Sequence, residues 1–341
     1  MFGILLRDEK RVNSKFMILG APADWCDVIY DDFIKNKEGL YIDGQMSVCG
    51  NWARFLYKLA YSDKSLLGKF KKNIKKSIFK IINKKIKQEN MQLEYVIFCD
   101  WNRLSYDYEF LKYMRMKYEN IKFVFVFTNI VEKSGVARFS DLDFIKHNYG
   151  LIISYDEENA KKYGLTYHKT VYSKLDIKSD KEPCDVFFIG NAKERLEIII
   201  NVFEILNNAG YKCCFYVNGV SEEMQKYKDI IHYNQTMSYR EVVEYVQNTK
   251  CILEVCQKGA NASTLRCCEA LAYDKKLITN STHLKKEKFY DEKNIYFLEG
   301  NNCEGLTEFM DSENEVKYVD ILPLFSSENL LTFIENSFTI N

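Results

Sequence analysis

Between Asp185 and Thr279 short apolar runs alternate with helical patterns, and that alternation leaves few folds open. Asp185-Val-Phe-Phe-Ile-Gly190 reads as a buried strand. The pattern over 193–208 places Leu196, Ile199, Phe203 and Leu206 on one helical face and stops at Gly210. Lys212–Val217 is a second strand and Ile230–Tyr233 a short third. Ser238-Tyr-Arg-Glu241 is a capping box, because hydroxyl and carboxylate can each satisfy the other's orphan amide, and its helix runs to about Asn248. Strand Cys251–Val255, helix 263–273, strand 276–279, strand Asn294–Leu298 and a terminal helix from Ser326 to Ser337 complete the series. Strands that alternate with helices pair in parallel, with the helices on the sheet faces.

The first half repeats the theme. Phe16–Gly20 is a strand, and Ala21-Pro-Ala-Asp-Trp25 is the loop after it. Leu40–Ile42, Leu93–Cys99, Ile121–Phe127 and Gly150–Ser154 read as further strands. The run Phe123-Val-Phe-Val-Phe127 is apolar on both faces, as a covered parallel sheet requires. Helices are expected over Asn51–Tyr61, Tyr106–Tyr118, Phe139–Asn148 and Asp156–Tyr163. The first carries Trp52, Phe55, Leu56 and Leu59 at helical spacing. Ser173–Pro183 is polar and ends in proline, so it marks the best boundary. The expected organisation is an α/β chain with two Rossmann-like parallel-sheet domains facing a cleft. Residues 1–180 form the first domain, 181–325 the second, and 326–341 a C-terminal helix that packs back on the first.

With 341 residues there is room for two domains. A formal net charge of zero excludes a whole-chain electrostatic nucleic-acid binder, so no nucleic-acid partner is expected. The 11 cysteines form no C-x-x-C pair and no zinc-type quartet, which suggests reduced, buried thiols and a cytoplasmic protein. The four histidines are scattered without ligand spacing and read as structural. The first residues lack the apolar stretch and cleavage site of a secretory signal. No run of about 20 apolar residues spans a membrane.

Residues 64–90 depart from the balance. They hold ten lysines against the single acid Glu89, a net of +9 that the remaining chain offsets. At about 100° per residue Leu67, Phe70, Ile74, Ile78 and Ile81 share a stripe, with Lys69, Lys72, Lys76, Lys80 and Lys87 opposite. A basic amphipathic helix of this kind can lie in an anionic membrane interface. Lys69, Lys72, Lys76, Lys80, Phe70 and Ile74 are the expected membrane-binding residues. The competing reading is a surface helix with its stripe on the core and its lysines in water.

The chemistry concentrates in the loop Gln257–Thr264. It follows a strand and opens a helix. Gly259 and the small residues around it let a ligand approach the backbone. A helix N-terminus offers free amides and partial positive charge to a diphosphate. Lys258 and Arg266 add charge-assisted donors, and Glu269 can accept both hydroxyls of a ribose. The plainer alternative is a capped helix with a surface Arg266–Glu269 pair.

Together, the strand ending in Gly190, the small-residue loop, Thr264-Leu-Arg-Cys-Cys-Glu269-Ala-Leu and the strand Leu277-Ile-Thr279 resemble the donor-binding half of GT-B glycosyltransferases. The likeness is strongest to the bacterial capsule and lipopolysaccharide cluster type. Ser154–Gly164 resembles the end of the N-terminal domain in those proteins. The resemblance implies a UDP- or GDP-type nucleotide-sugar donor and no cofactor. It implies donor contacts from Gly190, Asn191, Lys193, Arg195, Gln257, Gly259, Thr264, Arg266 and Glu269. Glu269 would take the ribose, Thr264 and Arg266 the phosphates, and Lys193 and Arg195 the leaving diphosphate. Two features depart from the family pattern. Leu265 stands where a second acid is common, and Ala21-Pro-Ala-Asp24 replaces a glycine-rich loop.

Such a site works by positioning and charge stabilisation. An inverting enzyme adds a general base, for which Asp24 and then Asp100 are candidates because each follows a strand. A retaining enzyme needs neither. Asp141-Leu-Asp143 mimics a metal-binding D-x-D but begins a helical pattern, so no metal is expected. The acceptor is expected to be a glycan or lipid-linked glycan in surface polysaccharide synthesis, reached by peripheral contact at the inner face of the membrane. Three alternatives stay open. A polyol-phosphate transferase of teichoic-acid type would use a cytidine donor. A degenerate GT-B protein would serve as a scaffold or binding module. An NAD-type oxidoreductase would need G-x-G-x-x-G, which Gly190-Asn-Ala-Lys193 is not.

Overall fold

A computed structural model describes residues 14–62, 70–260, 262–300, 302–313, 318 and 321–339. Among these, twelve strands form two six-stranded parallel sheets. The chain divides into two compact units. The first takes the described residues through Ala23, from Phe33 to Thr128 and from Glu132 to Ile152. The second takes Asp24–Asp32, Asn129–Val131 and the described residues from Ile153 onward. The division thus falls ahead of the polar stretch 173–183, although the second sheet itself starts only at Cys184.

The first sheet is built from β1 (Phe16–Leu19), β2 (Gly39–Ile42), β3 (Tyr95–Cys99), β4 (Lys122–Phe127), β5 (Leu151–Ser154) and β6 (Thr166–Tyr167), in the order β2-β1-β3-β4-β5-β6. Every residue of β1 and β3 is buried, which is why both read as unbroken apolar runs. The helices of this part of the chain are α1 (Asp24–Ile29), α2 (Asp31–Lys35), α3 (Asn51–Ala60), α4 (Phe70–Gln88), α5 (Tyr108–Lys117), α6 (Val136–Phe139), α7 (Leu142–Asn148) and α8 (Glu157–Tyr163). Asp141 N-caps α7, accepting from the Phe144 amide at 2.6 Å, so this acid serves a helix end. Asp107 joins three helices. Its side chain caps α5, accepts from the Tyr61 hydroxyl at 2.6 Å and pairs with Lys75 of α4 at 2.9 Å.

α4 corrects part of the expected stripe. Its buried residues are Ile78, Phe79, Ile82 and Ile86, with Phe79 packed on Phe110 and Tyr113 of α5. Ile74 and Ile81 are half-buried, and Phe70 is 72% exposed. The centre of the apolar face therefore lies on the core and is not available to lipid. Lys72, Lys76, Lys80, Lys84 and Lys87 are exposed, as the pattern requires. Lys69, Leu67 and the rest of 64–69 lie outside the described residues.

The second sheet has β7 (Cys184–Asn191), β8 (Cys213–Asn218), β9 (His232–Tyr233), β10 (Thr249–Glu254), β11 (Lys276–Thr279) and β12 (Ile295–Phe297), in the order β12-β11-β10-β7-β8-β9. Its helices are α9 (Leu196–Asn208), α10 (Tyr239–Gln247), α11 (Leu265–Ala272), α12 (Leu306–Asp311) and α13 (Ser327–Thr339). The capping box of α10 forms as its sequence demands. Phe203 and Phe215 are fully buried in one cluster with Val186, Ile199, Leu253 and Ile278. Each such side chain contributes about 1.5–3 kcal/mol. Lys276 is buried and donates to the carbonyls of Phe309, Met310 and Ser312, so an ammonium satisfies orphan acceptors at the end of α12. α13 belongs to the second unit, where Asn329 meets His168 at 3.0 Å and Phe333 packs on the same ring. The expected boundary assigned His168 to the first domain. All eleven cysteines are free thiols.

Candidate functional site

In each sheet the chain leaves a central strand to one side and later returns to the other. Ligand crevices of open α/β sheets form outside the carboxyl ends of the strands at such a switch. In the second unit the switch lies between β7 and β10. The segments after these two strands carry most of the expected donor-binding residues.

Gly190 and Asn191 end β7, and Lys193–Arg195 form a short 3-10 turn before α9. The sequence pattern started α9 at 193; the structure starts it at Leu196. Lys193 has φ 45, a left-handed conformation that is costly for a side chain of this type. Its ammonium donates to the Gln257 side chain at 2.8 Å, bridging the segments after β7 and β10. Gln257 in turn donates to the Asn129 side chain at 3.0 Å, within the same unit. Arg195 lies across the switch. Its guanidinium donates to the carbonyls of Asn191, Ala192 and Val255. Burial lowers its pKa. Gly259 has φ 86, which a residue with a side chain would resist.

The start of α11 differs from the expected open anion site. Thr264 is the N-cap and accepts from the Arg266 amide at 3.1 Å. Its hydroxyl donates to Glu254, the last residue of β10. The other Glu254 oxygen accepts from the Thr279 hydroxyl. Glu254 is buried, and burial raises its pKa. The chain thus places one of its own carboxyls at the N-terminus of α11. Beside it, the buried Ser263 hydroxyl has no hydrogen-bond partner among the described residues. Asn280 anchors the next strand end, its side chain accepting from the Cys256 amide at 2.6 Å.

Arg266 and Glu269 pair with each other, as the plainer reading has it, but inside the unit and not on its surface. The Glu269 side chain is 0% exposed and that of Arg266 20%. Tyr239 donates its hydroxyl to the remaining Glu269 oxygen at 2.5 Å. Burial raises the pKa of Glu269. Asp24, the first residue of α1, is exposed and accepts from the Tyr239 amide at 2.6 Å. It caps a helix far along the chain instead of its own.

In the first unit the switch lies between β1 and β3. Asp100 follows β3 and is fully buried. One carboxyl oxygen accepts from the Thr128 hydroxyl, and the other has no hydrogen-bond partner among the described residues. Burial raises its pKa to about 7, against the lowering pull of Thr128. Asn102 donates to the Gly20 carbonyl at 2.7 Å and so ties the ends of β1 and β3. A Cβ at Gly135 would stand 2.1 Å from the Asp100 carbonyl oxygen, so this backbone approach needs glycine. A titratable carboxyl near neutrality at a strand end can take or hold a proton.

Sequence reasoning missed Glu254, Tyr239, Asn129 and Asn280. Only Glu254 left a signal, a carboxylate inside the apolar run Cys251-Ile-Leu-Glu-Val255.

No family model matches the chain, and no curated protein matches it. Solved structures do. One is an alpha-glucosyltransferase in complex with UDP-glucose and DNA containing an abasic site, at 12% identity over 96% of this chain and 99% of the other, with a TM-score of 0.54. A second is Anabaena HepE in complex with UDP and glucose, at 8% identity over 96% and 99%, with a TM-score of 0.53. A third is the Gap123 glycosylation-associated protein complex from Streptococcus agalactiae, of which the chain covers 58% with 77% of its own residues, at 10% identity and a TM-score of 0.44. Two α/β units, each on a six-stranded parallel sheet, give this chain the fold of the GT-B glycosyltransferases.

Proposed function

We propose that the protein is a glycosyltransferase that moves a sugar from a UDP- or GDP-type donor to a glycan acceptor. The observation that carries this reading is the gathering of Asn191, Lys193, Arg195 and Gln257 around the β7–β10 switch of a GT-B fold. The Lys193 ammonium and the Arg195 charge stabilise the leaving diphosphate. Asp100 is the better candidate base of the two, because its carboxyl is poised near neutrality while Asp24 caps α10. In an inverting transfer a general base accepts the acceptor hydroxyl proton, the acceptor oxygen bonds to the anomeric carbon, and the nucleotide diphosphate leaves with the electron pair. No metal enters this scheme. The acceptor is a lipid-linked glycan of surface polysaccharide synthesis, met at the inner face of the membrane. Ribose recognition by Glu269 requires the Tyr239–Arg266 cover to yield.

A second reading is favoured by the state of α11. Thr264 already takes the Arg266 amide, Glu254 already holds the Thr264 hydroxyl, and the Arg195 donors already serve backbone carbonyls. A scaffold or binding module that has lost catalysis would keep this interior. A thermal-shift panel of UDP, GDP, CMP, CDP and NAD separates the readings. Stabilisation by UDP or GDP, lost in Lys193→Ala, supports the transferase. Stabilisation by CDP moves the assignment to a polyol-phosphate transferase. Silence across the panel, in a folded protein, sinks the transferase and leaves the scaffold.

A further inference from the structure

α3 turns its bulk outward. Its buried residues are Ala53, Tyr57 and Ala60, while Trp52 is 67% exposed and Phe55 50%. The two rings stack on each other with centroids 5.5 Å apart. Val48, in the turn before the helix, is 46% exposed. Lys58 continues the same outward strip. Soluble surfaces seldom leave a stacked tryptophan and phenylalanine in water without a partner.

α3 packs along α4. Lys71 of α4 donates to the Ser62 carbonyl just beyond α3 at 2.8 Å, and Lys75 lies 4.9 Å from the Tyr61 ring centroid. At the other end the turn before α3 packs against α4. The helices therefore run side by side, and α4 brings Lys72, Lys76, Lys80, Lys84 and Lys87. None of these five is ion-paired with an acid among the described residues, and neither helix contains an acid. Phe70 adds a further exposed ring.

We infer that the α3–α4 face docks on an anionic lipid bilayer, with Trp52 and Phe55 entering the headgroup region and the lysines of α4 meeting the lipid phosphates. The inference deepens the proposed reaction at a lipid-linked acceptor by naming the docking surface. Charge decides the occupant. An apolar surface of another protein matches the rings but not a row of unpaired lysines. A second copy of this chain would bring the same lysines against them. An indole at the headgroup level is amphipathic in the way that layer favours. Each lysine near such a surface strengthens binding, and salt weakens it.

The test is sedimentation of the full chain with vesicles of phosphatidylcholine alone and of phosphatidylcholine with about one quarter phosphatidylglycerol. Binding to the anionic vesicles only, weakened at least about tenfold in Lys76→Gln/Lys80→Gln/Lys84→Gln/Lys87→Gln, is expected. Trp52→Ser/Phe55→Ser should lower it comparably, with an unchanged melting temperature showing that both variants fold. Trp52→Phe should keep binding yet lose the fluorescence quenching by lipid-borne quenchers. Equal binding to both vesicle types, no binding to either, or dimers that dissociate in Trp52→Ser/Phe55→Ser without any vesicle binding would overturn the inference. The nucleotide panel reads the transfer reaction independently. Vesicle binding with nucleotide silence keeps the docking face and removes its enzyme, and the reverse keeps the enzyme alone.

Discussion

The Arg195 guanidinium donates to the Val255 carbonyl, tying the segment after β7 to the end of β10 across the sheet's switch point. Two more of its donors hold Asn191 and Ala192. Arg195→Ala leaves these carbonyls without a charged donor and should destabilise the protein by about 2–3 kcal/mol in urea unfolding. Lysine cannot reproduce a planar fork, so Arg195→Lys should recover less than half of that loss. A change below about 0.5 kcal/mol would show that the guanidinium does not brace the strands.

Lys193 holds a left-handed backbone, which costs about 1–2 kcal/mol for a residue with a side chain. Glycine adopts it freely but loses more chain entropy on folding. Lys193→Gly should therefore be neutral to about 1 kcal/mol more stable while losing the nucleotide-induced thermal shift. A stabilised variant with an intact shift would separate the strain from binding.

Asp100 gives the clearest pH signature. Its folded pKa of about 7 lies above its ordinary value of 3.8. The folded state thus binds more protons than the unfolded one between about pH 4 and 7, so this group's stabilisation is fully present below that window and falls as pH rises through it. The slope is at most about 1.4 kcal/mol per pH unit for one group. Asp100→Asn should flatten that fall in paired urea titrations. As base, Asp100 must be ionised, so turnover should climb through about pH 7 in the native protein and stay low in the variant. A parallel stability profile in the two proteins would remove the shift.

Glu269→Gln strips the Arg266 charge of its partner in a closed interior, and breaking such a pair costs about 3–5 kcal/mol. Tyr239→Phe removes only the hydroxyl donor to Glu269, at about 1 kcal/mol. The ratio, read by chemical unfolding, distinguishes a buried pair from the solvent-facing pair that i,i+3 spacing alone suggests. Equal, small losses would put Glu269 in water.

The sheets were legible because burial on both faces forces unbroken apolar strands, as in Phe123–Phe127 and Val186–Ile189. The capping box of α10 was legible because both partners lie within one turn. The site was legible as a place, since Gly190 at the end of β7, Lys193 after it and the loop after β10 mark strand ends. Its internal wiring was not. Asp24 meets Tyr239 across 215 positions, and Glu254 finds one threonine 10 residues away and another 25 away. No local period encodes such pairs. Bulk misled in the helices. α3 packs through Ala53 and Ala60 because small residues allow close approach, which leaves Trp52 and Phe55 outside. α4 carries isoleucine over a wide arc, so its pattern allowed several rotations, and Phe79 selects one by packing on α5.

Glu254 beneath the first turn of α11 has a thermodynamic consequence. An anion seated there adds a second negative charge beside a carboxyl that burial already inclines to hold its proton. Binding then takes up a proton from the medium. On the proposed donor reading, the heat of nucleotide binding is expected to vary with the ionisation enthalpy of the buffer, and affinity to fall as pH rises. Glu254→Gln, which carries its hydrogen permanently, would make both quantities indifferent to the buffer.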